Sequence, residues 1–420
     1  MTDVIVVGAG LGGLVAARHL ASEGVDVTVY EEQDDVGGRV RTEHRDGFTL
    51  DRGFQVLFTE YPAVRAELDL DALDLRSFRP GAILAKPGER STLADPLRDP
   101  KALTASLFNR DVSTGDKLRT FALRWRLGRK PIADIFAEDH EDIDSALRNW
   151  GFSRRFRERF AAPFYGGITL DRSLSTSRVV FEYTFKMLST GEIVLPSAGM
   201  QAIPEQLAGF AREAGATIET GRSVDSLDRD GDTVRCEVGG ETVEADAAVV
   251  ATDPKTAREL TGCAEIPTDG DGCVTQYFSL PETQALRTDR RLLLNTVDDR
   301  PNQIAPLSAV APEYAPDGEQ LLSATFLGTP GESDEQLATE VRETLASWYP
   351  KHSFGELELL ETHRIPFAQF EQPPGFTDRL PDVDAPDGPV YLAGEFTEWS
   401  AIQGAMESGR TAARVAAREL

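Results

Sequence analysis

Lysine is almost missing from these 420 residues: there are seven, so Arg carries nearly all the positive charge. Lys plus Arg number 44 against 70 Asp plus Glu, a formal net charge of −26. So acidic a chain argues against DNA or RNA as a partner, because phosphate binding needs a basic face. An acidic, Lys-poor surface suits concentrated salt, where self-repulsion is screened over short distances. A halophilic cytoplasm is therefore the preferred expectation, with an acidic protein of ordinary salt as the alternative. Cysteine is sparse as well. Cys236, Cys263 and Cys273 form no CxxC pair, and the five His are scattered. No disulfide framework and no metal centre is expected, and a reduced, cytoplasmic setting is. Nor is there a long apolar run: nothing approaches the ~20 residues of a membrane-spanning helix, and Val4–Val7 after Asp3 is a strand rather than a signal peptide. A chain this long exceeds what one core usually serves, which points to two structural domains.

What is present begins at the N-terminus. The apolar run Val4–Val7 suits a buried parallel strand, and Gly8-Ala9-Gly10-Leu11-Gly12-Gly13 follows at once. Leu14 to Leu20 carries a helical apolar pattern, Gly24 ends it, and Val25, Val27 and Val29 alternate as a second strand closing on Glu31. In a strand–turn–helix unit of this kind Gly8 permits the tight turn, Gly10 lets the backbone approach a pyrophosphate, and Gly13 lets helix and strand pack closely. The helix start offers free N–H groups to the phosphates. Glu31, 23 residues after Gly8, is placed to accept hydrogen bonds from a ribose. This context makes the GxGxxG a dinucleotide site rather than a bare glycine-rich turn.

Gly37-Gly38-Arg39-Val40-Arg41-Thr42 comes next. It resembles the glycine-doublet motif of the flavin-containing amine oxidase and phytoene desaturase superfamily, with protoporphyrinogen oxidase-like members. The composition adds the expectation of a haloarchaeal source. The resemblance implies FAD as cofactor, with Gly38 and Arg39 along its pyrophosphate and Arg39 neutralising phosphate charge. Gln33 departs from the Arg or Lys that many members have near the adenosine ribose. At the other end, Pro389–Ala393 runs into Gly394-Glu395, then Ser400 to Ala405 and Gly409, which is similar to the last FAD motif of the family. That likeness implies that Glu395 binds the ribityl and pyrophosphate region. Gln403 and Gly404 would open a helix whose N-terminus faces the flavin ring. Val224, opening a set of strands with an Asp-Gly turn at 230–232, would touch the adenine through its backbone. Gly53, Phe54 and Gln55 would meet the flavin edge.

The expected fold is α/β: a Rossmann-type FAD-binding domain assembled from 1–57, 189–262 and 382–420, with an α+β substrate domain from 58–188 and 263–381. Thr217–Thr220 groups by its alternation with the antiparallel strands after it. Phe164, Tyr165 and Phe185 are equally suited to an apolar substrate tunnel and to ordinary core. The stretches Arg119–Lys130 and Arg154–Arg159 mix Arg with aromatics. Ion pairing to the acidic remainder is the favoured reading, and peripheral contact with an anionic membrane is the other. No catalytic triad or paired-carboxylate arrangement stands out, and neither Lys186 nor Lys255 fits the catalytic Lys of amine oxidases. Trp399 is the aromatic expected near the flavin. The expected function is hydride removal from a C–H bond of an apolar small molecule, such as a carotenoid or tetrapyrrole precursor. A flavin amine oxidase acting on a small amine, and a non-catalytic escort protein on the same scaffold, are the alternatives.

Overall fold

The apolar run after Asp3 becomes the strand Asp3–Val7, central in a five-stranded sheet. The computed structural model describes residues 2–94, 98 and 112–420; Met1 and, within the expected substrate domain, residues 95–97 and 99–111 lie outside that description. The sheet runs in the order Thr217–Glu219, Asp26–Tyr30, Asp3–Val7, Ala247–Val250, Val390–Leu392, and every pairing is parallel. Parallel neighbours need crossovers and cover on both faces. Helix Leu11–Ser22 supplies the first crossover and ends before Gly24, whose φ is 86°. Thr217–Glu219 departs from its sequence grouping: it pairs parallel with Asp26–Tyr30. The preceding helix, Ala202–Ala214, returns the chain to the edge of the parallel sheet, where a short, half-exposed strand can sit. Val224–Asp230, Thr233–Val238 and Glu241–Ala245 form the antiparallel meander that the Asp-Gly turn announces.

The second large sheet has seven strands, in the order Glu358–Phe370, Gly270–Pro281, Glu319–Leu327, Gln303–Ala305, Leu292–Asn295, Ala82–Lys86, Glu89–Leu93. Its two faces differ. One carries Val274, Phe278, Ile304, Leu322, Ala324 and Phe326, sealed by Leu337, Val341, Leu345 and Trp348 of helix Asp334–Trp348. The other carries Thr275, Tyr277, Ser323 and Thr325 and faces the parallel-sheet body, where the Tyr277 hydroxyl donates to the Asp51 carbonyl.

A helical layer forms a third core around Leu123, Leu127, Leu147, Phe156, Tyr165 and Phe181. Phe152, Phe156, Phe160 and Phe164 follow one another at ring separations of 4.5, 5.3 and 5.4 Å, and Tyr165, Phe181 and Phe185 continue the chain of contacts. Phe164, Tyr165 and Phe185 are thus packed within one aromatic stack. The two basic stretches are laced with ion pairs: Arg126 and Lys130 reach Glu182 at 3.2 and 3.1 Å, Arg154 reaches Glu158, and Arg157 reaches Asp144. Even so, Leu118, Phe121 and Trp125 of helix Thr114–Arg129 stand 68, 58 and 60% exposed.

Candidate cofactor site

The glycine loop divides its labour as the sequence implies. Gly8 has φ 100°, and a Cβ there would lie 2.8 Å from the Ala251 carbonyl oxygen. A Cβ on Gly13 would stand 2.1 Å from the Gly8 oxygen, so this crossing of helix and loop requires glycine. Gly10 differs: the nearest atom to a Cβ would be 3.9 Å away, which leaves its side open. Helix Leu11–Ser22 starts there without a side-chain cap or an acid in its first turn. Its leading N–H groups are free donors at the positive end of the helix dipole. The second glycine doublet lies against the first: Gly37 N–H donates to the Ala9 oxygen at 2.9 Å, and Gly38, at φ 58°, would place a Cβ 3.6 Å from Gly10 Cα. An open, uncapped helix start of this kind fits a pyrophosphate.

Glu31 ends the second strand, 5% exposed. One carboxylate oxygen accepts Ala9 N–H at 2.7 Å and the other Gln33 N–H at 3.0 Å. Each oxygen keeps a lone pair for a ribose hydroxyl. Gly221 and Arg222 donate to the Gln33 and Glu31 carbonyls, both at 2.8 Å, which brings the start of the Val224 strand beside the acid. The Val224 side chain is buried in the core, 9% exposed, so its backbone alone could meet an adenine.

The Arg39 and Glu395 side chains, from motifs 356 residues apart, meet at 2.6 Å, and Arg39 also donates to the Ala368 oxygen. Glu395 is 7% exposed, and a carboxylate so placed is costly without a partner. Arg39 therefore first neutralises this acid; the remaining donors of its guanidinium could serve a phosphate. Gln55 donates to the Arg39 and Arg52 carbonyls. Gly53 N–H donates to His363 Nδ1 at 3.3 Å, and Phe54 packs edge-on against Phe78. The 53–55 segment is thus held between the Arg39 turn and strand Glu358–Phe370.

The closing segment is locked by Ser408, whose Oγ accepts Gly394 N–H and bonds the Thr397 hydroxyl. Helix Ile402–Glu419 then begins at Ala401 without a side-chain cap. The Gln403 amide oxygen accepts Ala63 N–H at 2.8 Å, at the start of helix Pro62–Glu67, which leaves the Gln403 backbone for a ligand. Gly404 is needed because a Cβ would lie 2.1 Å from the Trp399 oxygen. First and last helices cross at Gly12 and Gly409, where a Cβ on Gly409 would come within 2.2 Å of the Gly12 oxygen. Trp399, 5% exposed, packs on Tyr61, Tyr183 and Phe136 at ring separations of 5.9, 5.0 and 6.3 Å.

Several groups around this site carry no sequence signal because their partners are remote. Asp51 is buried and accepts from Thr42, Met200 N–H and Tyr314; burial pushes its carboxyl up to about 6 against those hydrogen bonds. Burial and Glu407 push Glu398 up to about 7. Burial holds the His363 imidazole below its ordinary value, with Glu43 and Glu361 opposing. The two lysines weighed from sequence are engaged: Lys186 donates to the Leu127 and Gly128 carbonyls, and Lys255 sits 5.3 Å over the Phe367 ring.

The family model for flavin-containing amine oxidoreductases matches residues 11–417. The chain belongs to this family, and its cofactor is FAD. It is 30% identical over 288 residues to a phytoene dehydrogenase from Streptomyces griseus, covering 62% of this chain and 56% of that one. It is 31% identical over 285 residues to a zeta-carotene-forming phytoene desaturase from Myxococcus xanthus, covering 61 and 54%. The matches span little more than half the length of these relatives. A solved oxidoreductase from Methanosarcina mazei shares the fold over 100% of both chains, with a TM-score of 0.72 at 18% identity.

Proposed function

We propose that this chain is an FAD-dependent oxidoreductase that removes a hydride from a C–H bond of a lipophilic small molecule, carotenoid-like or tetrapyrrole-precursor in class. The observation that carries the proposal is the uncapped start of helix Leu11–Ser22, where a Cβ on Gly12 would lie 3.1 Å from the Ala405 oxygen in the first turn of the uncapped last helix and 3.2 Å from the Ala393 oxygen, two residues before the Glu395 that pairs with Arg39. On this reading 1–57, 189–262 and 382–420 form the cofactor domain, and 58–188 with 263–381 the substrate domain. Gly8, Gly10, Gly13, Gly38 and Arg39 would hold the pyrophosphate, and Glu31 the adenosine ribose. Glu395 would hold the ribityl region, the Val224 backbone the adenine, and 53–55 with the backbone of Gln403 and Gly404 the flavin. Bound FAD supplies the hydride acceptor. The chain's own residues orient the substrate and exclude water. A lipophilic substrate is supported by the likeness to a phytoene dehydrogenase and a zeta-carotene-forming phytoene desaturase.

Access to such a substrate is assigned to helix Thr114–Arg129. Leu118, Phe121 and Trp125 share one of its faces, and Arg129 lies over the Trp125 ring at 4.2 Å. A basic helix with an apolar stripe suits the surface of an anionic bilayer. No helix among the described residues is long and apolar enough to cross one. Purified protein is expected to retain FAD through gel filtration and to float with anionic vesicles in a salt-sensitive manner. A colourless protein unable to take up FAD contradicts the cofactor assignment, and absence of flotation contradicts the membrane assignment.

A further inference from the structure

On the face of the seven-stranded sheet turned to the parallel-sheet body, His363, Thr275, Thr325 and Gln303 stand directly opposite one another across four neighbouring strands. The row lies between the Gly53 segment, expected near the flavin, and the helical layer. Thr275 Oγ1 is 4.0 Å from where a Gly53 Cβ would be, and Gln303 Oε1 is 2.1 Å from where a Gly167 Cβ would be. Ser323 adds a further hydroxyl two residues along from Thr325. The opposite face of the same strands is mainly apolar and covered by a helix, with Gln276 its buried polar member, bonded to the Asp334 carbonyl and the Thr362 hydroxyl.

Thr275, Ser323 and Thr325 are 0, 1 and 3% exposed; the Ser323 and Thr325 hydroxyls have no hydrogen-bond partner among the described residues, the Thr275 hydroxyl meets only the weakly bonding Cys273 thiol, and His363 Nε2 has no hydrogen-bond partner, with the Glu43 carboxylate 4.0 Å away. The Cys273 thiol, itself buried, is the polar neighbour of Thr275. Buried hydroxyls without partners are uncommon, because each forfeits its hydrogen bonds to water. Two such hydroxyls, with a third that meets only a thiol and an imidazole nitrogen in the same patch of sheet, require a reason. His363 Nδ1 accepts Gly53 N–H, so the neutral ring carries its proton on Nε2. The patch thus offers hydroxyls that can donate or accept, and one N–H donor, with no charged side chain in the row.

We propose that this row is a recognition wall for an uncharged oxygen function, a hydroxyl or keto group, on an otherwise lipophilic substrate. The inference rests on the lipophilic-substrate reading above and narrows it: a pure hydrocarbon leaves these groups unpaired, and a charged head finds no counter-ion among them. Discrimination then comes from pairing groups that are otherwise buried unsatisfied.

The test uses the FAD-loaded full chain, with geranylgeraniol and the hydrocarbon of the same isoprenoid skeleton as probes, and follows binding by perturbation of the flavin spectrum. Wild type is expected to bind the alcohol about 10-fold more tightly, the equivalent of one net hydrogen bond. The Thr275→Val/Thr325→Val double variant is expected to lose that preference, keep its affinity for the hydrocarbon, and melt at or above the wild-type temperature, because an unpaired buried hydroxyl has been removed. Equal binding of both probes by wild type overturns the recognition wall and leaves the lipophilic reading standing. Binding of neither overturns both. A preference that survives in the double variant overturns the wall. A preference lost together with several degrees of melting temperature also overturns it, since the hydroxyls would then be structural.

Discussion

The Arg39–Glu395 pair is where chemistry and folding meet most closely at the scale of single residues. Replacing Arg39 with Gln leaves a nearly buried carboxylate without its cation, an expected cost of about 1–3 kcal/mol, together with weaker FAD retention. Adding Glu395→Gln is expected to restore much of the stability but not the retention, which urea melts and flavin titrations of both variants would measure. Glu398 makes a separate prediction with a definite sign. Its folded-state value of about 7 lies above the ordinary 4.5, so the folded chain binds more protons in that window. Stability should therefore fall as pH rises from about 4.5 to about 7. Glu398→Gln removes this slope: melting temperatures of variant and wild type should diverge toward high pH, with the variant higher. A wild-type curve flat across the window would contradict the assignment. The glycines of both motifs were legible in sequence because a tight turn or a close backbone crossing demands one residue type at one spacing. The Arg39–Glu395 pairing was not, since nothing local encodes a partner 356 residues away.

Among elements, the crossing of the first and last helices is the most constrained. Gly12 and Gly409 meet backbone to backbone, so Gly409→Ala is expected to destabilise by about 1–3 kcal/mol through overpacking. Flavin should be released at lower denaturant than in wild type; unchanged denaturation and flavin release would show that the helices can part at no cost. Helix Thr114–Arg129 carries the opposite kind of prediction. Substituting Ser at Leu118, Phe121 and Trp125 removes exposed apolar surface; vesicle flotation should fall while flavin content stays unchanged. Strands with clean apolar runs, such as Val4–Val7, were legible from periodicity. Thr217–Glu219 was not, because three alternating residues fit an antiparallel or a parallel edge equally well, and only the helix before it decides.

The molecule as a whole is a parallel sheet that carries the glycine motifs, joined to a mixed sheet whose side facing it is polar. The class of fold and the cofactor were legible because fingerprints at both chain ends specify them. The wall formed by Thr275, Thr325 and His363 was invisible, because its members come from three strands without a shared motif and are aligned only by sheet register. The substrate is the point on which the proposed function most directly stands or falls. The decisive measurement is anaerobic bleaching of the FAD-loaded protein against a panel of isoprenoid polyenes, porphyrinogens and small amines. Bleaching by a polyene or porphyrinogen, with the amines inert, is the predicted result; rapid bleaching by small amines alone would contradict it.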